Sequence, residues 1–342
     1  MRLDHPETLE FIEMTSRRAS GRPHYTRAQR NAIARLISLL ARPLTAGVAG
    51  EAGSGKSVLI NALLGGAIIP VGGVGRLRPA LRVRYGDEYA AFSVKEDGSR
   101  QRLSWADFER ASAGQEAFGG RHPKVIYVAR GVVPPAAPNP AAAGGLVEVC
   151  SSVPLLRQIE FVEIPVSSGA AQVPGPAARN FARVDFAIWT TPANQAWKRS
   201  ESQAWLELRL APQDRAILAA TLKDGLAAVQ DQERLLARLM RDTASDFAAC
   251  HLVSAQQAFQ AYAGPARPSN ASLLENSGLP RLQGAIQEIA AAVRQARLGR
   301  ARAVLERIEA GKPASFPGGG AGGAAPQAGL DRAGARLHSA RS

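Results

Sequence analysis

Cysteine is almost missing: the chain has two, Cys150 and Cys250, in 342 residues. Two such residues in apolar, strand-like stretches make no disulfide framework, so a reducing, cytoplasmic compartment is expected. Long apolar runs are missing too. No stretch reaches the ~18 residues that read as a membrane span, and the opening MRLDHPETLE lacks the apolar core of a signal peptide. Five histidines show no metal-ligand spacing, so no His-based metal centre is expected. Internal repeats are absent. So is any dense Lys/Arg block, although the formal net charge is +13. The basic residues are mostly scattered arginines, which read as a solvated surface, and no nucleic-acid partner is expected.

What is present suffices for a folded core. Apolar residues make up 46% of the chain, enough for one large domain or two small ones. Residues 1–25 read as an irregular segment. TRAQRNAIARLISLLARP predicts a helix over 26–42, with Thr26 and Gln29 as a capping box and Ile33, Leu36, Ile37 and Leu40 on one face. Strand-like runs follow at Leu44–Val48, Ala80–Gly86, Ile159–Pro165, Val184–Thr190, Ala216–Leu222 and Cys250–Ala255. Asp97-Gly98 marks a hairpin turn. Short apolar runs alternating with helical segments predict an α/β fold, with a mostly parallel sheet covered by helices on both faces. The Pro/Ala/Gly stretch at 130–145 reads as a surface insertion. A long helix is expected over Leu282–Ile308, with Leu282, Ile286, Ile289, Val293 and Ala296 as its apolar face. This assigns 43–268 to the main domain, 269–310 to a C-terminal helix and 311–342 to a flexible tail.

The most informative stretch is GEAGSGKSVLINALLGG, Gly50 to Gly66. Gly50, Gly55, Lys56 and Ser57 satisfy G-x-x-x-x-G-K-[ST], with an apolar strand before it and a helical run, Lys56–Leu64, after it. Glycines allow successive amides of Gly50, Glu51, Ala52, Gly53, Ser54 and Gly55 to face phosphate oxygens. The helix N-terminus adds its positive end. Lys56 is the candidate for the β- and γ-phosphates, and the Ser57 hydroxyl for Mg²⁺. A nucleoside triphosphate site follows from these residues.

The ordered series is more specific than the phosphate motif alone. GEAGSGKSVLINALLGGAIIPVGG, LRVRYGDE, a hairpin around EDG, LSWADFERA, VPLLRQIEFVEIP, VDFAIWTTPANQAWKRSE, AATLKDGL and HLVSAQQA together resemble the GTPase domain of dynamin-like proteins, the bacterial ones above all. The resemblance covers roughly residues 26–308. It implies a P-loop NTPase fold, GTP and Mg²⁺ as ligands, and TLKD as the base-reading motif, with Thr221 and Asp224 in the family's positions. A carboxylate at Asp224 accepts both donors of guanine, whereas adenine leaves it unpaired at a cost of about 1–3 kcal/mol. Ser254 and Ala255 match the family's last nucleotide loop, and Glu163 matches the acid that reaches Mg²⁺ through a water. Relatives add a long stalk and a lipid-binding tip, which are not expected after Ser269.

Three departures weaken the expected chemistry. By position, Arg76 or Leu77 stands where the family's first switch carries a Mg²⁺-holding threonine, with Arg78 close by. The second switch, Asp-x-x-Gly in relatives, reads Glu163-Ile164-Pro165-Val166, and Val166 lacks the freedom of glycine. Ala52 and Gly53 replace polar residues inside the cradle. Phosphoryl transfer rests on positioning and charge stabilisation. A GTP-binding protein with weak hydrolysis is therefore expected, coupling nucleotide state to assembly or to membrane or partner organisation. A non-hydrolysing regulatory module and, further off, a P-loop ATPase or kinase stay open. The flanking helices are candidates for homo-oligomer or hetero-partner contacts. The arginines of the last helix are candidates for peripheral contact with the inner face of a membrane.

Overall fold

The computed structural model describes residues 6–21, 25–71, 80–95, 97–104, 106–108, 146–166, 184–208, 210–226, 228–261 and 270–310. The expected first switch, Arg76 to Arg78, the 130–145 insertion and the 311–342 tail lie outside the described residues. Helices are α1 (Pro6–Gly21), α2 (Arg27–Ala41), α3 (Lys56–Leu64), α4 (Arg199–Leu208), α5 (Val229–Asp242), α6 (Ala255–Ala261), α7 (Ala271–Asn276) and α8 (Leu279–Glu309). Strands are β1 (Leu44–Glu51), β2 (Ala80–Tyr85), β3 (Ala90–Val94), β4 (Arg100–Leu103), β5 (Leu146–Ser151), β6 (Ile159–Val166), β7 (Phe186–Pro192), β8 (Ala216–Thr221) and β9 (Ala249–Leu252). The chain divides into two compact units, Leu44–Ile289 and the segments 2–43 plus 290–342. The boundary falls within α8.

The first unit is built on one sheet in the order β4-β3-β5-β2-β6-β1-β7-β8-β9. β6, β1, β7, β8 and β9 pair in parallel, as the alternating pattern predicts. Beyond β6 the sheet turns mixed: β2 runs antiparallel to β6 but parallel to β5, and β3 is antiparallel to both β4 and β5. The β3–β4 hairpin turns at Asp97-Gly98, where the Asp97 carboxylate accepts from the Ser99 amide at 2.8 Å. Every residue of β1 is buried, as a central strand covered on both faces requires. Its start is clamped to β7 by the Asp185 carboxylate, which accepts from the Thr45 amide at 2.7 Å. The unit runs past residue 268 because α7 and the start of α8 close on it. The Ser254 amide donates to Ser277 O at 2.8 Å, and Lys223 Nζ donates to Asn276 O.

Four aromatics form a box at β7. Trp189 meets Trp197 and Trp205 edge-on at 6.3 and 5.9 Å, and Phe247 packs on Trp197 and Trp205 at 5.2 and 4.6 Å. Such pairs contribute about 0.5–1.5 kcal/mol each beyond their buried area.

The second unit has its own apolar core. Phe11 and Ile12 of α1, Ile33, Leu36, Ile37 and Leu40 of α2, and Leu298, Ala301, Leu305 and Ile308 of α8 cluster together. The capping box of α2 is complete, with Thr26 Oγ1 accepting from the Gln29 amide and Gln29 Oε1 from the Thr26 amide. Three expectations are corrected here. Residues 6–21 are helical, not irregular: Pro6 opens the helix, Glu7 follows in its first turn, and tertiary burial of Phe11 and Ile12 outweighs a polar composition. Ala296 is exposed, and the buried face continues from Val293 to Arg297, Leu298 and Ala301. A 3.6-residue period allows a step of either three or four, and the α1–α2 cluster selects the longer one. Helix 269–310 is also broken into α7 and α8 at Ser277-Gly278. Among the described residues no helix is long and apolar enough to cross a membrane.

Removing the cap tests the second unit. Thr26→Ala is expected to lower its stability by about 1 kcal/mol and Ile33→Ala by about 2–5 kcal/mol, as read by denaturant unfolding followed by far-UV circular dichroism.

Candidate functional site

β1 ends in the phosphate motif, and the neighbouring strand ends hold the turn in place. Gly50 has φ +149, and a Cβ there would stand 2.3 Å from Thr190 O and 2.6 Å from Ser54 Oγ. Only a glycine fits that approach. Thr190 Oγ1 donates to Ala49 O at 3.0 Å and lies 2.6 Å from Ser54 Oγ. Thr221, at the end of β8, donates to Ser54 O at 2.7 Å. Gly55, at φ +83, then caps α3, which begins at Lys56 as expected.

Lys56 is buried, and its ammonium donates to the carbonyls of Gly50 and Glu51 at 2.9 and 2.8 Å. It faces the rim of the turn and not the apolar interior. Ser57 Oγ donates to Glu163 Oε2 at 2.8 Å, both residues being buried. The two residues expected at Mg²⁺ are thus brought together at the foot of α3. An all-oxygen pair of hydroxyl and carboxylate suits a hard cation such as Mg²⁺. Ala52 and Gly53 are exposed at the tip, whereas Ser54 is fully buried.

The residues expected to read the base divide. Asp224 is exposed, and its Oδ1 accepts from Ser254 Oγ at 2.6 Å. Leu222, at φ +57, is exposed beside it. Thr221 is buried beneath the phosphate turn, where its hydroxyl is used by Ser54 O. The Ser254 amide is committed to Ser277 O, and Ala255 opens α6. Lys223, displaced by one from the usual position, donates to Asn276 O, and burial pushes its pKa down. At the position expected for the second switch, Val166 pairs with Glu51 in the β1–β6 ladder and is buried in the apolar core. It is a packing residue in extended backbone.

Sequence reasoning missed the segment after β7. Lys198, Ser200 and Glu201 all touch the site or its supports. Glu51 Oε1 accepts from Ser200 Oγ at 2.7 Å, and Glu51 Oε2 lies 3.8 Å from Lys198 Nζ. Glu201 is fully buried, and its Oε2 accepts from Thr191 Oγ1 at 2.8 Å and from the Lys198 amide at 3.0 Å. The polar cluster K-R-S-E at the start of a helix was the available signal. It reads equally well as solvated surface until the Thr190-Thr191 strand end is seen beneath it.

No family model and no curated protein matches the chain. Solved structures do. A chain of an oligomerised bacterial dynamin pair, described as a mechanism for long-range sensing and tethering of membranes, aligns with a TM-score of 0.58 at 14% identity. The fold is that of a dynamin-like GTPase. A second bacterial dynamin-pair chain gives 0.55 at 17% identity. Each match covers 89% of this chain and 46% of the dynamin chain. The dynamin-like part is thus less than half of those proteins' length.

Two outcomes are expected. Gly50→Ala forces Thr190 or Ser54 to move, and stability falls by roughly 1–3 kcal/mol in denaturant titration. Burial, the largest influence, pushes the Glu201 carboxyl above its ordinary range. The folded state therefore holds that proton more tightly than the unfolded one. Its contribution is full below the ordinary carboxylate pKa and is lost as pH rises through the raised value. Glu201→Gln, which keeps an oxygen acceptor, should flatten that decline in unfolding midpoints measured from mildly acidic to neutral pH.

Proposed function

We propose that the chain is a dynamin-like GTP-binding protein that hydrolyses GTP slowly. The observation that carries the reading is the turn itself. Its main chain is held open by Thr190 and Thr221, its lysine stands at the rim, and Ser57 and Glu163 are paired below. In this reading Lys56 leaves the two carbonyls and turns to the β- and γ-phosphates. Ser57 and Glu163 hold Mg²⁺, which would neutralise charge on the phosphate oxygens. Asp224, oriented by Ser254 Oγ, accepts the two donors of guanine.

Slow turnover rests on Val166. A side chain committed to the core within a strand is poorly placed to bring its amide to a γ-phosphate, as a mobile glycine does. The same observation supports a second reading, a nucleotide-binding regulatory module without hydrolysis. Coupling to a partner, to a second copy or to a membrane is assigned to the three-helix unit of α1, α2 and the end of α8.

Calorimetric titration with GTP, GDP and ATP, with and without Mg²⁺, tests the binding part. GTP and GDP should bind in preference to ATP. Asp224→Ala should erase the preference, and Lys56→Ala should weaken GTP about 10- to 100-fold. A preference for ATP would refute the guanine reading. Steady-state phosphate release should lie well below the ~10 per second typical of enzymes. Turnover near that value, lost in Lys56→Ala, would refute slow hydrolysis.

A further inference from the structure

The phosphate turn of this chain carries an acid of its own. Glu51 follows Gly50 directly, its side chain is 12% exposed, and its carbonyl accepts from Lys56 Nζ. A polyphosphate drawn into the cradle brings several negative charges close to that carboxylate. Like charges in a site poor in water repel strongly. The acid therefore opposes anion binding unless a cation offsets it.

Lys198 is the cation placed there, 3.8 Å from Glu51 Oε2, while Ser200 Oγ fixes Oε1. The segment that presents it is held on several sides. The Lys198 amide donates to Glu201 Oε2, and Thr191 Oγ1 donates to the same oxygen. Trp197 stands in the left-handed region at φ +60, with its amide on Thr191 Oγ1 at 3.1 Å and its ring in the aromatic box. A non-glycine residue keeps that conformation only where its surroundings over-determine it. Exposed ion pairs contribute little to folding stability, so an elaborate support for this one points to work on a ligand.

Resting on the nucleotide reading above, we propose that Lys198 is a positioning residue of the polyphosphate site, neutralising Glu51 so that an acid-bearing cradle accepts an anion. Titration of the full chain with magnesium GTP tests it. Lys198→Ala should weaken binding about three- to tenfold, and Lys198→Arg should hold it within about twofold. Glu51→Gln should tighten it, and the double variant Glu51→Gln/Lys198→Ala should return to the affinity of the unaltered chain. The unfolding midpoint without nucleotide should barely move in Lys198→Ala. Two results overturn the inference while leaving nucleotide binding intact: unchanged affinity in Lys198→Ala, or a double variant as weak as Lys198→Ala alone. If the unaltered chain binds no nucleotide, the polyphosphate reading itself fails and this inference falls with it.

Discussion

Two threonine hydroxyls at strand ends hold the glycine-rich turn after β1. Thr221 Oγ1 holds Ser54 O, and Thr190 Oγ1 holds Ala49 O while touching Ser54 Oγ. Thr190 comes from β7, which pairs with β1, and Thr221 from β8, the next parallel strand out, so the register of the sheet fixes the shape of the turn. A flexible glycine-rich loop would lose conformational entropy on gripping an anion. A turn already tied to two strands has lost most of it on folding, which is what a pre-organised site requires. Lys56, Ser57 and Glu163 take their places because that turn and β6 are where they are.

The rest of the first unit follows from keeping β1 central and dry. Its eight residues are buried and its start is clamped through Asp185. The turn therefore projects from the carboxyl end of a parallel sheet, where open α/β folds bind their ligands. The aromatic box serves the same end from the side. It fixes Trp197, and so Lys198, against the outer wall of the turn.

Much of this was legible in the sequence. The G-x-x-x-x-G-K-S spacing gave α3 to the residue, because glycine, lysine and an apolar run leave few conformations open. Six of the strands were readable as short apolar runs. The hairpin at Asp97-Gly98 was readable from turn chemistry alone. Other parts were not. α1 is mostly polar, and its helicity comes from Phe11 and Ile12 finding α2 and α8, a tertiary fact. Thr221 looked like a base contact by its place in a motif, yet a hydroxyl is short, and the nearest acceptor is the carbonyl beneath the turn. Lys198 and Ser200 read as part of a solvated polar cluster because their meaning depends on Glu51, about 150 residues away in sequence and adjacent only through the β1–β7 pairing.

Backbone amide exchange of the Gly50–Ser57 turn, followed with and without magnesium GTP, reads the central claim most directly. The account predicts strong slowing confined to the turn and the first residues of α3 when nucleotide is present, with the nucleotide concentration needed for it raised about 10- to 100-fold in Lys56→Ala. Exchange in that stretch that is indifferent to every nucleotide would contradict it.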